Sequence, residues 1–420
     1  MNTSLYIHIP FCRHRCAYCD FNTYAGQDDL IPDYVAALRR EVEYVAAGAP
    51  EDLRLHTVFF GGGTPSLLSP AQFETILTAI RSCFRLDGGA EITIEANPGT
   101  VTGSALADLR ALGINRISFG AQSANGEELR LLERNHNFLD VIRAAADARR
   151  AGFDNLNLDL IYGLPGQELV TWQTTLRRVL DLQPEHLSAY ALTLEHGTPF
   201  GRWSSRGLMA APDPDAAADM YEWAGETLEA AGYEQYEISN WAKLRPVVGS
   251  RSERNEAGPP AQAVERPAYA CRHNLQYWRS LPYLGLGAGA HGYAAGYRYS
   301  NALRIKTYIE RLTGAGSAGS RTFPGSPAAV NRRRQTRQDE MSEFMITGLR
   351  LTREGISRQE FRRRFGEDLE AVYGGEIGEL RAAGLLEDAP GETASGEAGE
   401  VLRLTKRGRL LGNRVFMRFV

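Results

Sequence analysis

The chain has 420 residues, which exceeds one compact domain and predicts two or three. Its 43% hydrophobic and 23% charged residues are typical of a globular protein, and no apolar run reaches the roughly 18 residues of a membrane span. The net charge of −4 at pH 7 gives no support for a nucleic-acid-binding function. The amino-terminal residues carry neither a basic flank nor a small-residue cleavage site, so we expect no signal peptide.

Six short apolar runs in the first two hundred residues predict strands: Leu5–Phe11, His56–Gly61, Glu91–Ala96, Arg116–Gly120, Asn155–Ile161 and His186–Leu194. Amphipathic stretches between them predict helices: Asp33–Ala46, Pro70–Phe84, Gly103–Leu112, Phe138–Ala151 and Leu169–Leu182. This alternation predicts an α/β fold of parallel strands with right-handed crossovers. Residues 1–240 should therefore form a partial (β/α)6 barrel of the TIM type, with its chemistry at the carboxyl ends of the strands.

The pattern changes after the sixth strand. Residues 241–270 predict a low-complexity insertion. Residues 271–336 predict a segment with a histidine and aromatic motif followed by a linker, which is loose from about 314 to 335. Residues 337–420 predict a small, mainly helical C-terminal domain, for which a winged helix is one form, with another loose stretch at 390–400.

The cysteines point to a metal site. An odd count of five, with three close together, is a poor disulfide framework and indicates a reducing compartment, so we expect a cytoplasmic protein. The run Cys12-Arg-His-Arg-Cys16-Ala-Tyr-Cys19 follows the first predicted strand. Three thiolates can hold three corners of a 4Fe–4S cubane and leave one iron open. A structural zinc site is the alternative, because His14 could supply the fourth ligand.

The spacing Cys-x-x-x-Cys-x-x-Cys after a first strand resembles the signature of the radical S-adenosylmethionine (SAM) superfamily. Three further motifs at predicted strand ends agree with it: Gly61-Gly62-Gly63-Thr64-Pro65-Ser66, Ile94-Glu95-Ala96-Asn97-Pro98 and Ser118-Phe119-Gly120-Ala121-Gln122-Ser123. The resemblance implies an oxygen-sensitive 4Fe–4S cluster on Cys12, Cys16 and Cys19, whose open iron is chelated by the methionine part of SAM. In that superfamily, reduction of the cluster cleaves SAM to methionine and a 5′-deoxyadenosyl radical.

Nearly the whole chain resembles the oxygen-independent coproporphyrinogen III dehydrogenases and their sister group, the HemW-type heme chaperones. The resemblance implies that Tyr6 and Tyr18 flank the cluster and SAM. It also implies a SAM pocket made of Gly62, Gly63, Thr64, Glu95, Gln122, Arg134 and Asp159. These residue types suit the task, because a carboxylate can hold the SAM ammonium, an arginine can hold its carboxylate, and Gln with Asp can hydrogen-bond the ribose.

Two features favour the chaperone group. The cysteine signature of the dehydrogenases has a further cysteine two positions after the third. This chain has Phe21 at that position, so it departs from the dehydrogenase signature. The run Arg272-His273-Asn274-Leu275-Gln276-Tyr277-Trp278 matches the His-Asn-x-x-Tyr-Trp motif of the chaperones, so the resemblance implies that His273 ligates heme iron. Imidazole is a common axial ligand of heme, and aromatic rings suit a flat macrocycle. A packed histidine beside two core aromatic residues is the structural alternative.

Two further features stay open. The glycine-rich run 285–292 indicates close backbone approach, to SAM or to the porphyrin, and it carries His291 as a second candidate heme ligand. Cys271 adjoins the histidine motif and could contribute, although a free buried thiol is the expectation.

The resemblance implies a heme chaperone that binds heme, carries a SAM-ligated 4Fe–4S cluster and transfers heme to apo-hemoproteins. Its expected partners are heme, an apo-hemoprotein acceptor and a reductant such as flavodoxin or ferredoxin, without nucleic acid. The alternative is an oxygen-independent coproporphyrinogen III dehydrogenase, which converts two propionates to vinyl groups by radical oxidative decarboxylation. Phe21 counts against that activity. A nucleic-acid-modifying radical SAM enzyme is a third interpretation, which the net charge does not favour.

Overall fold

The computed structural model describes residues 2–244, 268–314, 323–392 and 398–420. Its strands are β1 (Asn2–Ile9), β2 (Phe11–Cys12), β3 (Tyr24–Ala25), β4 (Arg54–Gly62), β5 (Arg85–Ala96), β6 (Arg116–Gln122), β7 (Leu156–Tyr162), β8 (His186–Ala191), β9 (Tyr233–Glu237), β10 (Asn240–Lys243), β11 (Tyr283–Leu286), β12 (His291–Ala294), β13 (Tyr297–Asn301), β14 (Ala329–Arg334), β15 (Ile356–Ser357), β16 (Leu386–Glu392) and β17 (Ala398–Leu404). Its helices are α1 (Ile31–Ala46), α2 (Pro70–Cys83), α3 (Gly103–Ala111), α4 (Gly126–Leu131), α5 (Phe138–Arg150), α6 (Leu169–Leu180), α7 (Pro199–Ser205), α8 (Pro214–Ala230), α9 (Arg272–Trp278), α10 (Ile305–Gly314), α11 (Arg337–Gly348), α12 (Arg358–Phe365), α13 (Leu369–Ala382), α14 (Lys406–Leu410) and α15 (Gly412–Phe416).

A twelve-stranded sheet forms the body of the molecule, in the order β14-β13-β12-β11-β1-β4-β5-β6-β7-β8-β10-β9. The strands from β11 to β8 in this order run parallel, while β12–β14 at one edge and β10 with β9 at the other are antiparallel. All six predicted strands and the five helices between them are present. The prediction of an α/β partial barrel is therefore confirmed.

Strand β1 shows how the sequence divides the two faces of this sheet. Successive side chains of a strand point to opposite faces. Leu5 and Ile7 are fully buried in the hydrophobic core that the sheet forms with its helices. Tyr6 and His8 alternate with them, and their side chains hydrogen-bond each other through the Tyr6 hydroxyl and His8 Nδ1 at 2.9 Å. The other face of the barrel sheet therefore carries polar groups.

The segment 271–336 differs from the predicted linker, because it contributes β11–β14 to the barrel sheet. β11 pairs in parallel with β1, with Ser4 opposite Tyr283. β14 lies in the stretch that was expected to be loose, so that expectation was wrong for Ala329–Arg334. These strands are short, and their pairing depends on neighbours that are distant in sequence, so local periodicity is a weak signal for them.

The C-terminal region has a second hydrophobic core, which includes Phe344, Phe361 and Leu402. Its elements α11, β15, α12, α13, β16 and β17 follow in the order typical of a winged helix, with the small sheet ordered β15-β17-β16. The expectation of a loose stretch at 390–400 was wrong at both of its ends, because β16 and β17 pair there. The boundaries between domains stay predictions, and the Arg245–Pro267 part of the predicted insertion lies outside the described residues. None of the helices described is long and apolar enough to cross a membrane.

Candidate functional site

A cavity of about 380 Å³ opens at the carboxyl ends of the parallel strands. Parallel strands present these ends at one edge, which is where α/β barrels place their chemistry. The cavity is lined by all of the predicted cluster and SAM residues except Tyr6, namely Cys12, Cys16, Tyr18, Cys19, Gly62, Gly63, Thr64, Glu95, Gln122, Arg134 and Asp159. The structure thus brings together residues that are far apart in sequence, while their individual roles stay predictions.

The three cysteines of the loop after β1 are free thiols with polar neighbours. The Thr64 hydroxyl lies 3.6 Å from Cys12 Sγ, and Arg134 Nη1 lies 3.8 Å from Cys16 Sγ. Burial raises the pKa of the Cys12 and Cys19 thiols. Ligation to a cluster would favour the thiolate form of these cysteines, and the hydrogen bonds to sulfur favour it as well. Three thiols around one cavity match the soft donor set of an iron–sulfur cluster.

His14 does not join the cysteines. Its Nε2 lies 3.0 Å from Glu133 Oε2, which also accepts a hydrogen bond from the Ala17 amide at 3.0 Å. Within the described ranges, no three His, Cys, Asp or Glu side chains are arranged to hold a single metal ion. His14 therefore pairs with Glu133 and not with the cysteine thiols.

The glycine motif after β4 brings backbone to the cavity wall. Gly62 has a φ of +114°, a conformation that favours glycine, and a Cβ there would lie 2.5 Å from the His8 ring. Its amide donates a hydrogen bond to Glu95 Oε2 at 3.0 Å. A larger residue at position 62 would therefore push this strand end away from its neighbours.

Two carboxylates of the cavity, Glu95 and Asp159, lie on β5 and β7, which flank β6 in the sheet. Asp159 is held by the Ser118 hydroxyl at 2.8 Å and by Asn157 Nδ2 at 2.7 Å. Burial and then the charge of Asp159 raise the pKa of Glu95 to about 7. A buried carboxylate with few compensating partners is suited to receive the ammonium group of a ligand.

Arg134 and Arg15 are the arginines that line this cavity, and Arg134 is the one predicted to bind SAM. Its Nη2 donates to the Gly120 carbonyl at 3.1 Å and to Asn97 Oδ1, while its Nε is buried without an acceptor among the described residues. Gln122 reaches the cavity from a bulge in the β6–β7 pairing and has a φ of +63°. Acceptors for an ammonium, an unpartnered arginine donor and amide groups in one cavity fit the functional groups of SAM.

Tyr6 lies behind the cavity wall and does not line the cavity. Its ring stacks on Phe59 with centroids 6.2 Å apart and lies 6.4 Å from the ring of His273. Its hydroxyl hydrogen-bonds His8, as described above. The predicted contact of Tyr6 with the cluster and SAM stays a prediction.

His273 is 1% exposed, and both of its ring nitrogens have partners. Nδ1 lies 2.7 Å from Thr57 Oγ1, and Nε2 lies 2.8 Å from the Tyr277 hydroxyl. Its ring stacks on Phe59 with centroids 5.0 Å apart. Burial lowers the pKa of His273 to about 3, so the ring is neutral at physiological pH. Its predicted role as a heme ligand stays a prediction.

The two other candidate heme ligands differ in burial. His291 is exposed on β12, while Cys271 is buried and contacts Glu91 Oε1 through its thiol at 3.5 Å. The expected close backbone approach of the run 285–292 is present at Gly287, while an approach to SAM or the porphyrin stays a prediction. A Cβ at Gly287, which has a φ of +101°, would lie 2.4 Å from the His8 carbonyl oxygen, so protein backbone explains this glycine.

Two residues at the cavity were not singled out from the sequence. Asn97 accepts from Arg134 and donates to the Thr64 hydroxyl at 3.0 Å. Glu133 fixes the cysteine loop through the Ala17 amide. Asn97 stands two positions after Glu95 in a motif quoted above, and Glu133 directly precedes Arg134, so closeness in sequence to a predicted residue is the signal that could have found them.

Comparisons with known proteins agree with this geometry. The family model of the radical SAM superfamily matches residues 6–179, and that of the HemN C-terminal domain matches residues 335–411. The heme chaperone HemW of Bacillus subtilis is 35% identical over 99% of this chain and 99% of its own length. The heme chaperone HemW of Escherichia coli is 43% identical over 69% of each chain.

Among solved structures, the coproporphyrinogen III oxidase HemN from Escherichia coli, described as a radical SAM enzyme, superposes with a TM-score of 0.77. The match covers 99% of this chain and 89% of that protein at 23% identity, so it supports the fold alone. The radical SAM match implies a 4Fe–4S cluster and SAM as cofactors. From the full-length similarity and the shared motifs, the chain belongs to the HemW family of the radical SAM superfamily.

Proposed function

We propose that this protein is a heme chaperone, which binds heme and transfers it to apo-hemoproteins while it carries a SAM-ligated 4Fe–4S cluster. The observation that carries the proposal is the similarity to heme chaperones along 99% of the chain, which includes the His273 motif. Cys12, Cys16 and Cys19 would hold the cluster, and Glu95, Gln122, Arg134 and Asp159 would hold SAM. When bound, the cluster and SAM supply one-electron chemistry at this end of the barrel.

The absence of a fourth clustered cysteine supports the chaperone over the dehydrogenase. Phe21 occupies the position of the additional cysteine, lines the cavity and is 63% exposed. We expect no vinyl product when the reconstituted protein receives coproporphyrinogen III with SAM and a reductant under anaerobic conditions. A clear yield of protoporphyrinogen IX would return the dehydrogenase to first place.

We infer that heme binds through His273 and that the acceptor is an apo-hemoprotein. The reductant is a small electron-transfer protein such as flavodoxin or ferredoxin, and Arg13 and Arg15 are exposed beside the cluster loop where an acidic protein could approach. All five cysteines are free thiols, which supports the cytoplasm as the compartment.

The test of heme binding is an anaerobic heme titration of the reconstituted protein, followed by the Soret band. We expect saturable, stoichiometric binding that His273→Ala weakens at least tenfold. His186→Ala is the matched control, because His186 is fully buried and both of its ring nitrogens are hydrogen-bonded, to Asn157 at 2.6 Å and to the Tyr236 hydroxyl at 2.8 Å.

The outcomes of that titration distinguish a failure of the chaperone proposal, a different heme ligand and damage to the fold. If the wild type binds no heme, the chaperone proposal fails. If the wild type binds and His273→Ala binds equally well, the ligand is another residue, and His291→Ala and Cys271→Ala are tested next. Equal losses in His273→Ala and His186→Ala would indicate damage to the barrel, which thermal unfolding of both variants detects.

A further inference from the structure

A second cavity, of about 280 Å³, lies between α9, the β11–β13 strands and α11. Tyr277 and Trp278 of the histidine motif line it, together with Tyr283, Tyr293 and Arg298. Among the described residues, it has no lining residue in common with the cluster and SAM cavity. Pockets for drug-sized ligands measure about 300–1,000 Å³, so this cavity lies just below that range and would have to widen to take in a whole macrocycle.

Tyr277 separates this cavity from His273. Its hydroxyl lies 2.8 Å from His273 Nε2, and its ring meets the His273 ring edge-on with centroids 5.0 Å apart. On the other side it meets the ring of Tyr283, also edge-on, with centroids 4.5 Å apart. Displacement of the Tyr277 side chain would therefore open Nε2 to the cavity and enlarge the cavity at the same time.

The hydrogen bonds around His273 assign its tautomer. The Thr57 hydroxyl donates to Ser4 Oγ at 2.6 Å, so Thr57 Oγ1 is left to accept the proton of His273 Nδ1. Nε2 then carries the lone pair and accepts from the Tyr277 hydroxyl. Nε2 is thus the nitrogen that can bind iron, and it releases no proton when it does so.

The cavity wall also holds groups that a porphyrin could use. The indole Nε1 of Trp278 is buried and has no acceptor among the residues that the structure describes. Arg298 donates to the Tyr283 hydroxyl at 3.1 Å and pairs with Glu343, which also lines the cavity, so a porphyrin carboxylate would replace Glu343 as a partner of the guanidinium. Aromatic faces with one cation suit an apolar macrocycle that carries carboxylates.

We propose that the cavity bounded by Tyr277, Trp278, Tyr283 and Tyr293 is the porphyrin site, and that Tyr277 is a positioning residue that covers the iron-binding nitrogen of His273 until heme enters. The Tyr277 hydroxyl leaves Nε2 when the edge of the macrocycle displaces its ring, and the Nε2 lone pair then binds the iron. This inference rests on the proposed function and adds to it a location and a closed resting state.

The test compares heme titrations of Tyr277→Phe and of a control, Tyr373→Phe, with the wild type. Tyr277→Phe keeps the ring but removes the hydrogen bond that heme must break, so we expect a Kd about three- to tenfold lower and faster heme association. Tyr373→Phe, which removes a hydroxyl from the second hydrophobic core and lies outside this cavity, should leave the Kd within about twofold. Thr347→Trp, which fills the cavity from α11, should weaken heme binding at least tenfold.

The outcomes separate this inference from the proposed function. If the wild type binds heme through His273 but Tyr277→Phe binds no tighter or faster, then Tyr277 does not control access to His273. The proposed chaperone function is unaffected by that result. If Thr347→Trp binds heme like the wild type while it remains folded in thermal unfolding, the porphyrin site lies elsewhere. If the wild type binds no heme, both fail. A tighter Tyr277→Phe whose binding is lost on adding His273→Ala supports the inference.

Discussion

Glu91 and Glu95 lie four residues apart on β5, and each accepts backbone amides from a different segment of the chain. Glu91 accepts the backbone amides of Arg272 at 3.1 Å and His273 at 3.2 Å, so it anchors the first turn of α9. Glu95 accepts the Gly62 amide at the cluster and SAM cavity. Along a strand, four residues span about 13 Å, so the carboxylate that anchors the histidine motif and the carboxylate of the SAM cavity lie at separate points of one strand.

This separation predicts that the two sites can be damaged independently. Glu95→Gln should weaken SAM binding at least tenfold and leave the heme affinity within about twofold, because only the first site loses a charge-assisted contact. Glu91→Gln should weaken heme binding and leave the SAM affinity within about twofold, because α9 loses the negative charge at its amino terminus. SAM binding by equilibrium dialysis and heme binding by the Soret band measure both, and each variant is the control for the other. Parallel losses of both ligands in Glu91→Gln would show that the sites are coupled.

The raised pKa of Glu95 predicts a pH dependence of SAM binding. The ionised carboxylate is the form that holds an ammonium group, and its pKa of about 7 means that it is mostly protonated below that pH. We expect the SAM affinity to fall about tenfold per pH unit below pH 7 and to level off above it. The Kd measured from pH 5.5 to pH 8.5 checks this, and a flat profile in the wild type would contradict it. Glu95→Gln should be weak and flat.

The same shift predicts how the stability of the ligand-free protein depends on pH. Because the folded pKa lies above the ordinary 4.5, the folded state holds a proton that the unfolded state releases. The stabilising contribution is present below pH 4.5 and is lost as the pH rises through about 7. Glu95→Gln should therefore unfold at a higher temperature than the wild type at pH 8.5, but at nearly the same temperature at pH 4.5. Equal differences at both pH values would contradict the assignment.

The cluster assignment predicts a sharp contrast among the cysteines. Cys12→Ala should lose most of the iron and the cluster absorbance after anaerobic reconstitution, because three thiolates are the minimum for this site. Cys83→Ala is the matched control, because Cys83 is an exposed cysteine on α2, away from the cavity. Iron content and visible absorbance measure the difference. A Cys12→Ala protein that retains a full cluster would overturn the ligand set.

Glu41 predicts that the segment 271–336 is an integral part of the barrel. This buried carboxylate of α1 accepts hydrogen bonds from the Gly287 amide, Asn301 Nδ2, the Tyr308 hydroxyl and the Ser326 hydroxyl, at 2.6–2.8 Å. Glu41→Leu leaves these donors unpaired and should lower the free energy of unfolding by about 3–5 kcal/mol. Glu43→Ala, which removes an exposed pair with Arg39, should cost at most about 0.5 kcal/mol. Urea unfolding measures both, and similar effects would contradict the account.

The cluster and SAM cavity could be predicted from the sequence because its residues follow strands directly. Cys12, Glu95 and Asp159 come at or near the ends of apolar runs, and the ends of parallel strands share one edge of a barrel. Local periodicity was therefore enough to predict the strands. The parallel topology then predicted that the residues at their ends lie close together. The resemblance of the motifs to a known family supplied their chemistry.

The surroundings of His273 could not be predicted in this way. Its Nδ1 partner, Thr57, stands 216 residues earlier in the chain, and the pairing of β11 with β1 that encloses α9 depends equally on distant contacts. The motif marked the histidine but gave no sign that Tyr277 covers its other nitrogen. Long-range packing, which local patterns do not encode, decides which nitrogen is available.

The most direct test of the central claim is heme transfer. The reconstituted protein is loaded with heme under anaerobic conditions, mixed with an apo-hemoprotein and separated from it, and the Soret absorbance of each fraction is measured. The account predicts that heme moves to the acceptor, and that His273→Ala neither loads nor delivers it. Heme that stays on the loaded protein, or that reaches the acceptor no faster than free heme does, would contradict a chaperone function.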